Sequence, residues 1–220
     1  MHMKRTTIAL IALTASVVPV LAAGGLSGMG ANLFGNYFKF GNKPNINKPM
    51  VNGITVGPMR MSLQHTRLAD IRKVFGGTIQ TQGSDRTLAN WLCYQTAGGK
   101  NGPATDTWFI SNTLGGGEFV MIVAVQAAPA GGMPSDCEPA PAKFSPPNMG
   151  IPGIGASLDQ VKSAFGGAAA GTNITFRADE PGADALGTAY NAQYIAYVVS
   201  GGKVAAYGAG ETSVPAPPKQ

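Results

Sequence analysis

The sequence contains one ten-residue pattern twice, and this internal repeat constrains the fold more than any other feature. Residues 68–77, LADIRKVFGG, align without a gap with residues 158–167, LDQVKSAFGG. Apolar residues recur every three or four positions, which places them on one face of a helix. The glycine pair after each phenylalanine is typical of a helix end, and Ser157 with Gln160 predicts a capping box. We therefore predict two short amphipathic helices, each of which opens a structural unit.

Three segments with strand composition follow each predicted helix. They are residues 88–95, 108–114 and 118–125 in the first unit and residues 174–178, 194–200 and 203–207 in the second. Glycines separate the last two segments of each unit, as expected for a β-hairpin. The prediction is an α+β fold of two tandem repeats, each a short helix plus a three-stranded antiparallel sheet. The helices should pack on one sheet face and leave the opposite face free.

Residues 1–23 have the features of a signal peptide. Lys4 and Arg5 precede an apolar run that is too short to span a membrane, and small residues follow it. We predict cleavage after Ala22 or Ala23, which would leave no transmembrane segment. No cysteine stands near this junction, so lipid attachment is not expected. The predicted location is the periplasm or the cell exterior.

Amino-acid composition predicts the remaining boundaries between segments of the chain. Residues 24–52 are rich in glycine and asparagine and are predicted to form a flexible arm, whereas residues 126–149 contain six prolines and are predicted to be a linker. Residues 214–220 are predicted to be a disordered tail. The two helix-sheet repeats then occupy residues 53–125 and 150–213.

The two cysteines predict a single disulfide. Cys93 and Cys137 are an even number of thiols in a chain expected to reach an oxidising compartment. A metal site is the less favoured alternative, because two thiols and the distant His65 lack the spacing of metal ligands. We predict neither a metal nor a cofactor.

Charge argues against nucleic acid as a partner. Without Lys4 and Arg5 the formal charge falls from +5 to +3, and the remaining lysines and arginines are not clustered. No acidic residue precedes Asp70, and the arm combines basic residues with aromatic ones. The aromatic residues of the arm are predicted to pack on the folded body, with docking of a partner as the alternative. Contact with a membrane surface through this basic aromatic arm is a further possibility.

The chain resembles the tandem repeat of the β-lactamase inhibitory protein-like fold. It also resembles the related SmpA/OmlA-type outer-membrane assembly lipoproteins. The matching parts are residues 54–77, residues 150–167 and both hairpins. In the inhibitors an aromatic, concave sheet face grips a partner protein. The resemblance therefore implies the following binding residues: Trp91, Tyr94, Trp108, Tyr194, Tyr197 and Tyr207. Strand alternation puts Tyr194 and Tyr197 on opposite faces, and we expect Tyr197 to face outward.

The sequence departs from both families at its cysteines. The inhibitors carry a disulfide inside each repeat, whereas Cys137 lies in the predicted linker and the second unit has no cysteine. The acylated cysteine of the lipoproteins is absent as well. These departures leave the fold as the main implication of the resemblance.

Residues suited to catalysis are scarce. His65 is the only histidine after the predicted signal peptide, and Ser157 lacks the second glycine of a nucleophile elbow. Asp179, Glu180 and Asp184 surround a Pro-Gly turn, which favours a solvated loop over a calcium site. We predict a non-catalytic exported binding or protein-interaction module whose partner is another envelope protein. An envelope structural or assembly factor and a small-ligand carrier are the alternatives, and an enzyme is less favoured.

Overall fold

The computed structural model describes residues 25–36, 45–46, 51, 53–99, 102–166, 171–181 and 189–215. Within these residues the chain is α+β, with three α-helices and mostly antiparallel strands, which confirms the predicted class at that level. No helix in the described ranges is long and apolar enough to cross a membrane. The predicted signal peptide, residues 1–23, lies outside the described residues.

The helices and strands of the described residues follow one another along the chain. The helices are α1 (Gly28–Asn36), α2 (Leu68–Phe75) and α3 (Leu158–Phe165). The strands are β1 (Ile54–Val56), β2 (Met59–Met61), β3 (Gln80–Gln82), β4 (Ala89–Thr96), β5 (Thr105–Asn112), β6 (Ile122–Ala127), β7 (Glu138–Pro139), β8 (Asn173–Pro181), β9 (Ala189–Ser200) and β10 (Lys203–Pro215).

Eight of the described strands form one continuous sheet. Their order is β3-β4-β5-β6-β10-β9-β8, and β7 lies beside β4 in parallel. The two halves join where β6 pairs antiparallel with β10, with Gly208 opposite Ala124. The segments predicted as two three-stranded sheets therefore belong to a single sheet. Strands β1 and β2 form a separate hairpin.

Helices α2 and α3 have the bounds expected from the repeated pattern. Ile71 and Phe75 of α2 and Val161 and Phe165 of α3 are buried in the same core cluster, on one face of the sheet. The predicted capping box at α3 is present, since the Ser157 hydroxyl accepts a hydrogen bond from the backbone N–H of Gln160 at 3.2 Å. Both helices pack on one sheet face, as predicted, whereas the tandem duplication itself remains a prediction.

The predicted flexible arm contains a helix, and the prediction that the second sheet face is free is wrong. Residues Gly28–Asn36 form α1, which lies across β5, β6 and β10 on the face opposite α2 and α3. Met29 and Leu33 are buried there. The helix has glycine at three positions, each costing about 1 kcal/mol relative to alanine. Tertiary contacts overcome this low propensity.

Parts of the predicted proline-rich linker pair with the sheet or pack on it. Strand β6 continues to Ala127, and β7 pairs with β4 at Tyr94 and Gln95. Pro139 is tolerated in β7 because this two-residue strand lies at the sheet edge. The predicted disulfide between Cys93 and Cys137 is present. It closes a loop of 44 residues, which corresponds to about 4 kcal/mol in the chain-entropy account.

Several strand boundaries differ from the prediction; β5, for example, covers Thr105–Asn112 rather than residues 108–114. Residues 118–121 precede β6 rather than belonging to it, because the β5–β6 connection is longer than predicted: a 3₁₀ turn over Thr113–Gly115 comes before the predicted glycine turn, where Gly116 and Gly117 have positive φ. Strand β10 extends to Pro215, so the first two residues of the predicted tail are paired with β9. Residues 216–220 lie outside the described part of the chain.

Candidate functional site

The six aromatic residues predicted to form an exposed binding face are all buried, so that prediction is wrong. No more than 6 % of any of these residues is accessible to solvent. Those beneath α1, on one sheet face, are Trp91, Trp108 and Tyr194, and those beneath α2 and α3, on the other, are Tyr94, Tyr197 and Tyr207. Tyr194 and Tyr197 lie on opposite faces of the sheet, as predicted, but Tyr197 does not face solvent. Each sheet face is covered by a helix, and each set of aromatics is core.

Two of these tyrosines hydrogen-bond to backbone carbonyls. The hydroxyl of Tyr94 donates to the carbonyl of Gly76 at 2.6 Å, just after α2, and that of Tyr207 donates to the carbonyl of Pro147 at 3.0 Å. Burial raises the pKa of Tyr207 to about 12. Burial also raises the pKa of Tyr94, and the nearby Glu138 carboxylate adds to this effect. Neutral, hydrogen-bonded phenols are suited to holding helices and loops in place.

A buried carboxylate attaches the start of α1 to the sheet. The Asp136 carboxylate, with no accessible surface, accepts hydrogen bonds from the Ser27 hydroxyl at 2.6 Å and the Ser27 backbone N–H at 3.2 Å. It also accepts one from the Trp108 indole N–H at 2.9 Å. We call Ser27, Trp108 and Asp136 the Asp136 network. Its three donors are neutral. Among the described residues, the buried charge is therefore compensated by hydrogen bonds and not by an ion pair.

Two glutamine side chains complete the attachment of α1. Gln82 accepts from the backbone N–H of Leu26 at 2.8 Å, and Gln126 accepts from that of Met29 at 2.8 Å. The bond to Met29 satisfies one of the backbone donors that a helix start otherwise leaves open, and the bond to Leu26 holds the residues just before the helix. Asp106 lies nearby and accepts from Gln95 at 2.7 Å. Burial raises the pKa of the Asp106 carboxyl, the nearby side-chain amides of Gln95 and Gln126 lower it, and the Asp136 carboxylate raises it.

An apolar groove lies where the end of α1 meets the β5–β6 turn. Its volume is about 450 Å³, and it is lined by Phe34 on one side and by Arg86, Asn112, Thr113 and Leu114 on the other. Leu114 is 56 % exposed. The turn is held by a hydrogen bond from the Gly115 backbone N–H to Asn112 Oδ1 at 3.1 Å. We call this feature the Phe34–Leu114 groove.

One cation stands at the rim of the Phe34–Leu114 groove. Arg86 lies in the short 3₁₀ turn Asp85–Thr87, and its side chain is exposed. Among the described acidic residues, none lies within ion-pair distance of its guanidinium. The groove therefore combines an apolar wall with a positive charge that is available to a ligand. Sequence reasoning missed it, because Phe34 and Leu114 are 80 residues apart, and their segments were predicted as a flexible arm and the end of a strand.

A smaller polar cleft brings together residues that come from separate segments of the sequence. It has a volume of about 210 Å³, and its lining includes His65, Glu180, Asn191 and Glu211. Gln64 and Gln193 donate to the two carboxylate oxygens of Glu211 at 2.8 and 2.9 Å. Within the described part of the chain, no three His, Cys, Asp or Glu side chains are grouped to hold a metal.

Of the other two acidic residues of the predicted solvated loop, Asp179 is the one that the structure describes. Asp179 binds the Arg177 guanidinium through both oxygens, at 2.7 and 2.9 Å. Asp184 lies outside the described residues.

Comparison with protein-family models, with curated proteins and with solved structures found no match. The resemblance to the β-lactamase inhibitory protein-like fold therefore stays a prediction.

Proposed function

We propose that this chain is a non-catalytic, exported binding module that engages a protein partner through the Phe34–Leu114 groove. The observation that carries the proposal is the exposed Leu114 beside Phe34 in a groove of about 450 Å³. Among the described residues, the exposed large hydrophobic side chains are Leu114 and Met133. An exposed apolar side chain in a concave setting is a common mark of an interaction site.

The chemistry of the groove favours a particular partner. Phe34 and Leu114 offer an apolar surface, and the Arg86 guanidinium stands at its rim. The matching occupant is an apolar side chain flanked by an acidic residue on another envelope protein. Because Leu114 and Arg86 are both exposed, the groove is open and shallow at that side. An open groove suits a side chain whose own protein covers the rim, rather than a small molecule that needs enclosure.

Two features support an exported, non-catalytic role. The Cys93–Cys137 disulfide is typical of proteins in oxidising compartments. The His65 imidazole forms no hydrogen bond with another side chain in the described part of the chain, so the described residues contain no base–nucleophile pair built on this histidine. A binding role needs neither a base nor a nucleophile.

Site-specific crosslinking tests the proposal. A photoreactive residue at position 114 is compared in the producing cell with the same residue at position 133, where Met133 provides a matched exposed hydrophobic site. We expect one defined protein adduct from position 114 and none from position 133. The crosslinked protein is then identified, purified and titrated with the wild-type chain.

The titration decides the outcome. Leu114→Asp should weaken binding of the purified partner at least about tenfold, because it removes apolar burial worth about 1.5 to 3 kcal/mol. Arg86→Glu should also weaken binding, and Met133→Asp should leave it unchanged. Equal adducts from both positions, or an affinity that Leu114→Asp does not alter, would overturn the proposal.

A further inference from the structure

The Phe34–Leu114 groove is built from two parts that are far apart in the chain. Phe34 belongs to α1, whereas Asn112, Thr113 and Leu114 belong to the β5–β6 connection of the sheet. The groove exists only while α1 is docked. Whatever controls the docking of α1 therefore controls the binding site that we propose, and the inference below rests on that proposed function.

Helix α1 depends on the sheet for its formation. It has nine residues, glycine occupies three of those positions, and an isolated helix of this length and composition is unstable in water. Two of its glycines allow close contact with Trp108: a Cβ atom on Gly30 would lie 2.8 Å from the indole ring, and one on Gly28 would be equally close. The helix is held by this contact, by Met29 and Leu33, and by the Asp136 network.

The disulfide positions the carboxylate at the centre of that network. Asp136 immediately precedes Cys137 in a turn closed by the hydrogen bond from the Cys137 backbone N–H to the carbonyl of Pro134 at 3.0 Å. Cys137 is bonded to Cys93 in β4. Beyond it, β7 is only two residues long. The covalent bond is therefore the strongest constraint on where the Asp136 side chain lies.

Without the disulfide, water can compete for the Asp136 carboxylate. It is a buried charge whose donors in the Asp136 network are neutral, so leaving the sheet for solvent restores full hydration. The turn that holds it is anchored by the disulfide, by β7 and by a hydrogen bond from Gln80 to the Asp136 carbonyl at 2.7 Å. Loss of the disulfide leaves β7 and this hydrogen bond to hold the turn, so the acceptor of Ser27 is less firmly fixed.

We propose that the Cys93–Cys137 disulfide and the Asp136 network together dock α1, so that the Phe34–Leu114 groove is assembled only in the oxidised chain. Oxidation removes two electrons and two protons from the two thiols. A disulfide-bearing oxidoreductase accepts them by thiol–disulfide exchange. In the reduced chain α1 is released, Phe34 leaves the groove and the Trp108 ring becomes accessible. The binding surface thus forms at the same step as the disulfide, in the oxidising compartment.

Hydrogen exchange of the backbone amides in residues 29–36 tests this proposal on the full purified chain. We compare the wild type with the double variant Cys93→Ala/Cys137→Ala and with Asp136→Ala and Ser27→Ala, which keep both cysteines. Thiol titration confirms that the disulfide is intact in the last two. Acrylamide quenching of tryptophan fluorescence reports access to Trp108 in parallel.

The expected result is at least about a tenfold loss of protection in residues 29–36 in the double variant and in Asp136→Ala, with an increase in quenching. Ser27→Ala should give a smaller loss in the same segment. The amides of β9 and β10 should stay protected, which shows that the sheet is folded. If the double variant does not fold, Asp136→Ala and Ser27→Ala still decide the role of the network, and reduction of the folded wild type decides the role of the disulfide.

Unchanged protection of residues 29–36 in Asp136→Ala, or in the wild type after its disulfide is reduced, would overturn the proposal. Failure of the proposed function has a different signature. If position 114 yields no adduct but residues 29–36 lose protection as described, the coupling of disulfide and helix stands and the groove is not a binding site. If Asp136→Ala releases α1 yet the crosslinked partner binds with unchanged affinity, binding at Leu114 stands and its dependence on α1 is wrong.

Discussion

The indole N–H of Trp108 donates a hydrogen bond to the buried carboxylate of Asp136 at 2.9 Å, across 28 residues of sequence. Trp108 lies in β5, and Asp136 lies in the segment predicted to be a linker. The same carboxylate accepts two hydrogen bonds from Ser27, 109 positions away. This single acceptor therefore connects the sheet, the disulfide-bonded turn and the N-terminal helix.

Asp136→Ala should lower the free energy of unfolding by about 2 to 4 kcal/mol, because it leaves the buried indole N–H of Trp108 and the Ser27 donors without their acceptor. Urea denaturation with the disulfide intact measures this change. Asp159→Ala is a suitable control, since the Asp159 carboxylate is exposed and its ion-pair partner among the described residues is Lys162 at 3.6 Å. The control should cost no more than about 1 kcal/mol. Equal costs at the two sites would contradict the structural role of the Asp136 network.

Gly30→Ala and Gly35→Ala should have opposite effects on stability, although both improve the helix propensity of α1. A Cβ atom at position 30 would lie 2.8 Å from Trp108, whereas one at position 35 would have no neighbour within 4 Å. We expect Gly35→Ala to stabilise the protein by up to about 1 kcal/mol. Gly30→Ala should destabilise it by about 1 to 3 kcal/mol, the usual cost of overpacking. Thermal unfolding of the two variants measures both effects, and stabilisation by Gly30→Ala would show that α1 does not pack on Trp108 as described.

Asp106→Asn should make stability less dependent on pH in the acidic range. Burial raises the pKa of Asp106 above its ordinary value of 3.8, so the folded protein binds this proton more tightly than the unfolded chain does. The contribution of Asp106 to stability is therefore greatest below the ordinary pKa, and it is lost as pH rises to the raised pKa. Asparagine does not titrate, and it keeps the acceptor for Gln95.

The measurement for Asp106→Asn is a series of urea denaturations between about pH 4 and about pH 7. The difference in unfolding free energy between the variant and the wild type should shift in favour of the variant as pH rises. A difference that stays constant over this range, or that shifts the other way, would show that the carboxyl of Asp106 is not destabilised by burial.

Ser157→Ala should cost about 1 kcal/mol, because the Ser157 hydroxyl caps the first turn of α3 through the backbone N–H of Gln160. Ser163 offers a control in the same helix, since its side chain is exposed. Ser163→Ala should be neutral or slightly stabilising, as alanine has the higher helix propensity. Chemical denaturation distinguishes the two. A loss at position 163 as large as that at position 157 would argue against a specific capping contribution.

Local sequence patterns identified α2 and α3 because their evidence is contained in ten residues. Periodic apolar positions select one helix face, and Gly76 and Gly166 end the helices with φ of 80° and 82°, a conformation that other residues rarely adopt. The disulfide was also predictable, because two cysteines in a chain predicted to be exported leave one intramolecular pairing. These features require no knowledge of distant contacts.

The sequence by itself determined the two amphipathic helices, the main strand segments, the α+β class and the disulfide. Only the tertiary structure decided that β6 pairs with β10, that Gly28–Asn36 becomes helical and that the aromatic residues are buried. The physical reason is that glycine makes α1 a poor helix in isolation, yet lets it approach Trp108 and, at Gly208, lets Leu33 reach the sheet. Such close packing exists only between segments distant in the chain, so no local pattern predicts it.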